Sequence, residues 1–388
     1  MFHNRRIDPW LLAIVGVLVG IGLVMVYSAS AVVAADRIGD EAQYVKRQLI
    51  ALAVGLVLCV GSALTPMRTI RRYRMLFYSA CVVGLILCFV PGIQHTVNGA
   101  SRWLSFGPAN FQPSEFAKIA MMIMMASYLD RWRGYIEDPR VLVSAALIPL
   151  PLMALILPEP DFGTTVIIGG LAAMMLFVAG IQVRHILVIG SAGLAAGVPI
   201  LLMASYRLER VINFFDPYQN AQGAGYQTIQ SWLAMHSGGM WGQGLGNSLS
   251  KLHYLPEPWT DYIVAVIAEE LGFVRLLLVI GLYGLFVWRG LHIAQRAHDP
   301  FSSYLATAIT GMVGFEAFFN MGVVMGVLPP KGLVLPFISY GSTAMMSHMW
   351  AVGILLSIAA EADDTEVARG WRETVDRNAV KRNGQKGA

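Results

Sequence analysis

Charge is what this 388-residue chain has least of: 13% of its residues are Asp, Glu, Lys or Arg, while 56% are hydrophobic, where a soluble globular chain carries roughly a quarter charged. Such a chain cannot cover itself with polar surface, which excludes a soluble enzyme and makes the bilayer the solvent. Cysteine is scarce, and Cys59, Cys81 and Cys88 all lie inside apolar runs, which excludes a disulfide framework. His236 and His253 have no Cys or His cluster near them in sequence, so no zinc site is indicated. The glycine-rich stretch HSGGMWGQGLGNS, residues 236–248, lacks the Lys-Ser/Thr pair of a P-loop and follows no strand, which excludes the common nucleotide fingerprints. A net charge of +4 is too small to imply nucleic acid.

What is present is a series of apolar runs, with a mean hydropathy of +0.58, each long enough to cross a hydrocarbon core of ~30 Å. The reading is an all-α integral membrane domain over 1–361 with ten spans, at about 11–33, 46–64, 76–94, 114–129, 141–157, 163–180, 185–205, 262–288, 302–327 and 342–361. The first run follows Arg5 and Arg6 as a signal peptide would, but its apolar length is too great for one. Arg68, Arg71, Arg72, Arg74, Arg131, Arg133, Arg140, Arg184, Arg289 and Arg296 crowd the short loops on the N-terminal side, so both termini are expected in the cytoplasm. A large loop over 206–261, between spans seven and eight, then lies outside, with smaller outer loops at 95–113, 158–162 and 328–341. Residues 362–388 have mixed charge and few apolar residues and read as a disordered cytoplasmic tail.

The outer loops hold the unusual chemistry. In YLPEPWTDYIVAVIAEELGF, residues 254–273, Pro256 and Pro258 keep the approach extended and Asp261 stands where a helix begins. Asp261 has two readings: an N-cap for that helix, or a carboxylate at the mouth of a cavity that serves as a general base. Glu269 and Glu270, two turns deeper, are intramembrane acids with two readings: functional groups, or structural partners of cations such as Arg275 on the same helix or of cations from neighbouring helices. In NGASRWLSFGPANFQPSEFAKIA, residues 98–120, Pro113 opens a helix that places Glu115 and Lys118 on one face. Arg102 and Trp103 are either an interfacial anchor or, with Lys118, a site where cations hold a phosphate and the indole stacks on a sugar. The glycines of 238–246, Gly244 and Gly246 among them, make either tight turns of a re-entrant loop or a backbone N–H nest for a pyrophosphate.

In order along the chain, GLVMVYSAS, GASRWL, QPSEFAK, EPDFGTT, YRLERVINFFDPYQNAQGAGYQ, GQGLGNSLSKLHYLPEPWTDYIVAVIAEELGF and PPKGLVLPFISYGS resemble the SEDS family (shape, elongation, division and sporulation). These are polytopic glycosyltransferases that polymerise lipid II. Lys331 and Gly332 in PPKGLVLPFISYG resemble the division branch, FtsW, more than the elongation branch, RodA. The chain departs from the family pattern at Ser342, Thr343 and Ala344 and at Val274 and Arg275.

The resemblance implies a ten-span SEDS bundle in the bacterial inner membrane with its active site on the periplasmic side. It implies that lipid II and a growing glycan on undecaprenyl pyrophosphate are the substrates, joined by a β-1,4 bond in one inverting displacement. Asp261 is then the base, and Arg102, Lys118, Arg207, Arg210 and Lys331 are the candidates to hold the pyrophosphate, with room for a divalent cation, Mg²⁺ or Mn²⁺, and no organic cofactor. The implied partners are a class B penicillin-binding transpeptidase and other division proteins. Two other classes stay open on the residues alone: a lipid II flippase, which would need polar groups reachable from both faces, and a non-catalytic division scaffold.

Overall fold

The computed structural model describes residues 7–97, 100–106, 109–136, 138–159, 161–202, 214–223 and 225–384. Helix α1 (Pro9–Ile38) begins where Asp8 accepts from the Leu11 amide at 3.0 Å, with Pro9 in its first turn, and ends at Gly39, whose φ of 78° no side chain favours. One face, with Leu11, Leu18 and Met25, is buried, while Trp10, Val17 and Val24 are exposed on the other. A helix apolar on both faces is what a lipid surround requires.

Helices follow at α2 (Gln43–Leu64), α3 (Met67–Arg72), α4 (Arg74–Leu87), α5 (Pro113–Arg131), α6 (Pro139–Leu147), α7 (Leu150–Ile156), α8 (Phe162–Val178), α9 (Val183–Leu202), α10 (Tyr226–Gly238), α11 (Ile263–Arg296), α12 (Pro300–Val324) and α13 (Ser342–Gly384). Each of the ten expected spans coincides with a helix, or in one case with the pair α6 and α7, which meet at Pro149. Among the described residues, five stretches are long and apolar enough to cross a membrane: Pro9–Ile38, Gln43–Leu64, Pro139–Ile156, Pro300–Val324 and Ser342–Asp363. Helix α13 runs on to Gly384.

The all-α expectation is corrected at 94–111. Strands β1 (Gln94–Val97), β2 (Ala100–Phe106) and β3 (Ala109–Phe111) form an antiparallel sheet in the order β1-β2-β3, with His95 opposite Trp103 and Leu104 opposite Phe111. Alternating Thr, Val, Trp and Phe suits a pleated surface, a signal hidden by the Gly and Pro between the strands.

Helix α5 lies at the centre, packed against α4, α8, α12 and α13. Its methionines and alanines are buried almost all round, which leaves Glu115 and Lys118 nowhere to go but inward. Helices α2 and α13 approach so closely that a β-carbon on Gly353 would overlap the Cys59 carbonyl, the small-residue contact by which helices associate in lipid.

Helix α11 is broken at Gly272, whose φ of 81° and ψ of 172° are not helical. The break frees the carbonyls of Glu269 and Glu270, which accept from the Gln243 amide at 2.9 Å and the Gly244 amide at 3.0 Å. Beyond it, the amides of Phe273 and Val274 donate to Gly239 at 2.9 Å and Met240 at 3.2 Å. The glycine-rich loop thus supplies the partners that a broken helix in an apolar setting needs.

Candidate active site

The segment before α11 is held by its carbonyls, one after another. Trp259 accepts from the Tyr340 amide at 2.9 Å, Thr260 from Ser339 Oγ at 2.7 Å and Asp261 from Asn320 Nδ2 at 2.9 Å. Asn320 Nδ2 also reaches the Leu333 carbonyl, and Ser339 Oγ accepts from the Leu335 amide at 2.8 Å. Three consecutive residues are therefore stitched to α12 and to the loop between α12 and α13. Trp259, 3% exposed, locks the segment from the other side, its ring 4.7 Å from that of Tyr44. Backbone strain collects at this junction: Glu257 (φ 46°) and Phe337 (φ 67°) occupy the left-handed region without being glycine, a cost of about 1–3 kcal/mol each that surrounding contacts must offset.

The N-cap reading of Asp261 does not hold. Helix α11 starts at Ile263, its N-cap is Tyr262, and no side chain caps it. The carboxylate stands instead against Gly332, where a β-carbon would lie 2.8 Å from Asp261 Oδ2.

Lys331, next to Gly332, folds back into the bundle. Its Nζ lies over the Phe319 ring, 5.1 Å from the centroid, and its Cε lies 2.7 Å from where a β-carbon on Gly163 would be. Burial brings the Lys331 ammonium down to about 8, against the attraction of Asp161 and Glu316. An ammonium so placed gains much from any anion that reaches it.

Arg102 donates from Nε to the carbonyl of Glu159 at 2.9 Å. Alternation along β2 puts Arg102 and Trp103 on opposite faces of the sheet, so the two cannot grip one phosphosugar as a pair. Glu159 is 1% exposed, and neither carboxylate oxygen has a hydrogen-bond partner among the described residues. Burial and the nearby Asp161 push its carboxyl up to about 8, with Arg102 opposing. Asp161 is engaged in capping α8, with Oδ1 accepting from the Thr164 amide at 3.0 Å and Oδ2 from Thr164 Oγ1 at 2.9 Å.

Glu115 and Lys118 meet as their spacing requires, at 2.9 Å. Lys118, however, is only 2% exposed and its ammonium also bonds Glu316 on α12. It is a brace between helices in this conformation, not a group presented to a phosphate. Arg207 and Arg210 lie outside the described residues. Gly244 and Gly246 have φ of 95° and 83°, but the Gly244 amide is engaged by Glu270, so the glycine run completes the helix break and does not form a nest at that amide. Glu269 and Glu270 prove structural. Glu269 accepts from Ser248 Oγ at 2.5 Å and the Leu249 amide at 3.0 Å. Glu270 accepts from Ser28 Oγ at 2.7 Å and pairs with Lys251 at 3.2 Å.

Sequence reading passed over Glu159, Glu316, Asn320 and His348. Glu316, Asn320 and His348 are polar residues inside apolar runs, and that alone marks such positions as candidates.

The family described as "Cell cycle protein", that of FtsW, RodA and SpoVE, matches residues 9–364. The chain is 41% identical over 367 residues to the "Probable peptidoglycan glycosyltransferase FtsW" of Trichlorobacter lovleyi, covering 92% of this chain and 94% of that one. It is 37% identical over 353 residues to "Stage V sporulation protein E" of Bacillus subtilis, covering 91% and 96%. Among solved structures, the rod shape determining protein RodA of Thermus thermophilus superposes with a TM-score of 0.68 at 27% identity, covering 92% of this chain and 97% of that one. A chain from work described as "Structural coordination of polymerization and crosslinking by a peptidoglycan synthase complex" gives 0.77 at 28% identity, covering 92% and 99%. With the match running through the segments that carry Asp261, Glu115, Lys118 and Lys331, this chain belongs to the FtsW, RodA and SpoVE family, and within it is FtsW-like.

Proposed function

We propose that this chain is a peptidoglycan glycosyltransferase that polymerises lipid II into β-1,4 glycan strands during bacterial cell division, with Asp261 as its general base. Relatives of this length and identity bear that activity in their names. The observation that carries the assignment of Asp261 is the triple anchoring of residues 259–261 beside Gly332 and Lys331. The carbonyls of three consecutive residues are tied down, and the Asp261 carboxylate stands against Gly332, the residue after Lys331.

In this reading the chain crosses the inner membrane ten times, both termini are cytoplasmic, and the 206–261 loop and the site face the periplasm. Asp261 takes the proton from the acceptor GlcNAc 4-hydroxyl as its oxygen attacks C1 of the donor. The C1–O bond to undecaprenyl pyrophosphate breaks in the same displacement, and the bond electrons leave with the pyrophosphate. Lys331, with Arg102 and the outer Arg207 and Arg210, supplies the positive charge that receives it. Among the described residues no group of three His, Cys, Asp or Glu side chains converges, so a divalent cation, Mg²⁺ or Mn²⁺, would need oxygens of the substrate pyrophosphate to complete its ligand set. No step is assigned to an ion. A class B penicillin-binding transpeptidase is the proposed partner, supported by the likeness to a chain of a complex that couples polymerisation to crosslinking.

The test is Asp261→Asn in purified protein supplied with lipid II. The amide keeps the shape and cannot take a proton, so polymerisation falls by about 10²–10⁴ while melting temperature and lipid II affinity stay parental. Polymerisation at near the parental rate would show Asp261 to be structural.

A further inference from the structure

Four ionisable groups lie together in the bundle below the loop that carries Lys331. Lys118 Nζ bonds Glu115 Oε2 at 2.9 Å and Glu316 Oε1. Glu316 Oε2 faces His348 Nε2 at 2.6 Å, and His348 Nδ1 faces the Ala344 carbonyl at 2.6 Å. Ser347 Oγ reaches Glu115 Oε2 at 3.3 Å. Glu316 and His348 are 1% and 0% exposed.

A carbonyl oxygen can only accept, so Nδ1 of His348 carries a hydrogen. The contact between Nε2 and the carboxylate needs one proton between them. Whether that proton sits on the imidazole or on the carboxyl, the Glu316–His348 pair has no net charge. With Glu115 negative and Lys118 positive, the whole cluster is neutral, which an apolar interior demands. Remove His348 alone and Glu316 is left as an uncompensated carboxylate that competes with Glu115 for Lys118. Remove both charges and neutrality returns.

The cluster matters for the site because Asn320 stands four residues after Glu316 on the same face of α12, and Asn320 holds the carbonyls of Asp261 and Leu333. We infer that Glu316 and His348 form a charge-balanced brace that fixes the α12 turn from which Asn320 positions Asp261, and that the two residues function as a unit. They are positioning residues, and the consequence for catalysis rests on the assignment of Asp261 as base. The groups facing Glu316 are Glu115 and Lys118 from α5, His348 from α13, Tyr283 from α11 and, at longer range, Lys331 from the following loop.

The experiment is a double-mutant cycle with His348→Leu, Glu316→Gln and the double variant, reading melting temperature and polymerisation of lipid II against pH. His348→Leu lowers the melting temperature by roughly 5 °C or more and the polymerisation rate by about tenfold or more. Its activity recovers as pH falls, because Glu316 takes from solvent the proton it has lost. Glu316→Gln/His348→Leu returns both readouts to near the Glu316→Gln values, and its rate has no such acid recovery. If His348→Leu is harmless, or if the double variant is no better than His348→Leu, the two residues are independent packing groups and the inference is wrong. If the parental protein does not polymerise lipid II at all, the proposed function fails, while the melting-temperature cycle still decides whether the pair is a unit.

Discussion

Gly332 leaves the space that the Asp261 carboxylate occupies: a β-carbon there would lie 2.8 Å from Oδ2 and 3.6 Å from Cγ. Gly332 is exposed and outside the left-handed region, so alanine strains no backbone at this position. Its methyl group can be accommodated only if the carboxylate moves.

Gly332→Ala therefore separates placement of the proposed base from its chemistry. A displacement of about 1 Å costs on the order of 10²-fold in rate, with fold and lipid II binding intact. Single-turnover polymerisation, with melting temperature as control, checks it. An unchanged rate would mean that the carboxylate does not need the position it has here.

Lys331 gives a pH dependence with a definite sign. Its ammonium titrates at about 8 because burial disfavours the charge, so it is charged below pH 8 and neutral above. Anion capture should thus weaken as pH rises through 8, which would appear as an alkaline fall in kcat/KM at a pH where an ordinary lysine is still charged. Glu159 also titrates near 8, so two variants are needed. Lys331→Arg keeps the charge and should remove the fall, whereas Glu159→Gln should leave it. The reverse outcome would assign the limb to Glu159.

Much of the architecture was legible because the solvent is lipid. Long apolar stretches between polar loops read as helices, and every expected span coincides with helix, five of the described stretches being long and apolar enough to cross a membrane. Where irregular backbone depends on contacts distant in sequence, the reading failed. The break at Gly272 depends on the 239–244 loop, which satisfies the freed groups on either side of it. Of the two local readings of Asp261, the N-cap is the one the structure removes: Asn320, Ser339 and Tyr340 hold the carbonyls of 259–261 and the helix starts only after Tyr262. Lys118 was read as a phosphate ligand because only Glu115 was visible as its partner. Glu316 lies 198 residues away in sequence, and nothing local ties the two together.

The side of the membrane on which Asp261 lies is testable with one introduced cysteine, and the structure says where to put it. Ser248 is 2% exposed with its hydroxyl on Glu269, so a thiol there would be shielded whatever the topology. Asn247, its neighbour, is exposed and uses only its amide, donating to the Gln243 carbonyl at 3.1 Å. Native background is low, since Cys59 and Cys88 are buried and Cys81 is half-buried in a helix. Asn247→Cys should react with a membrane-impermeant maleimide added to intact cells whose outer membrane has been made permeable. A cysteine replacing Tyr135, 65% exposed between α5 and α6, should react only after the inner membrane is opened. If the two sites exchange behaviour, the 206–261 loop faces the cytoplasm and Asp261 cannot meet lipid II on the periplasmic side. If both behave as expected, the proposed base, Lys331 and the proposed lipid II substrate share one compartment, which the displacement at C1 requires.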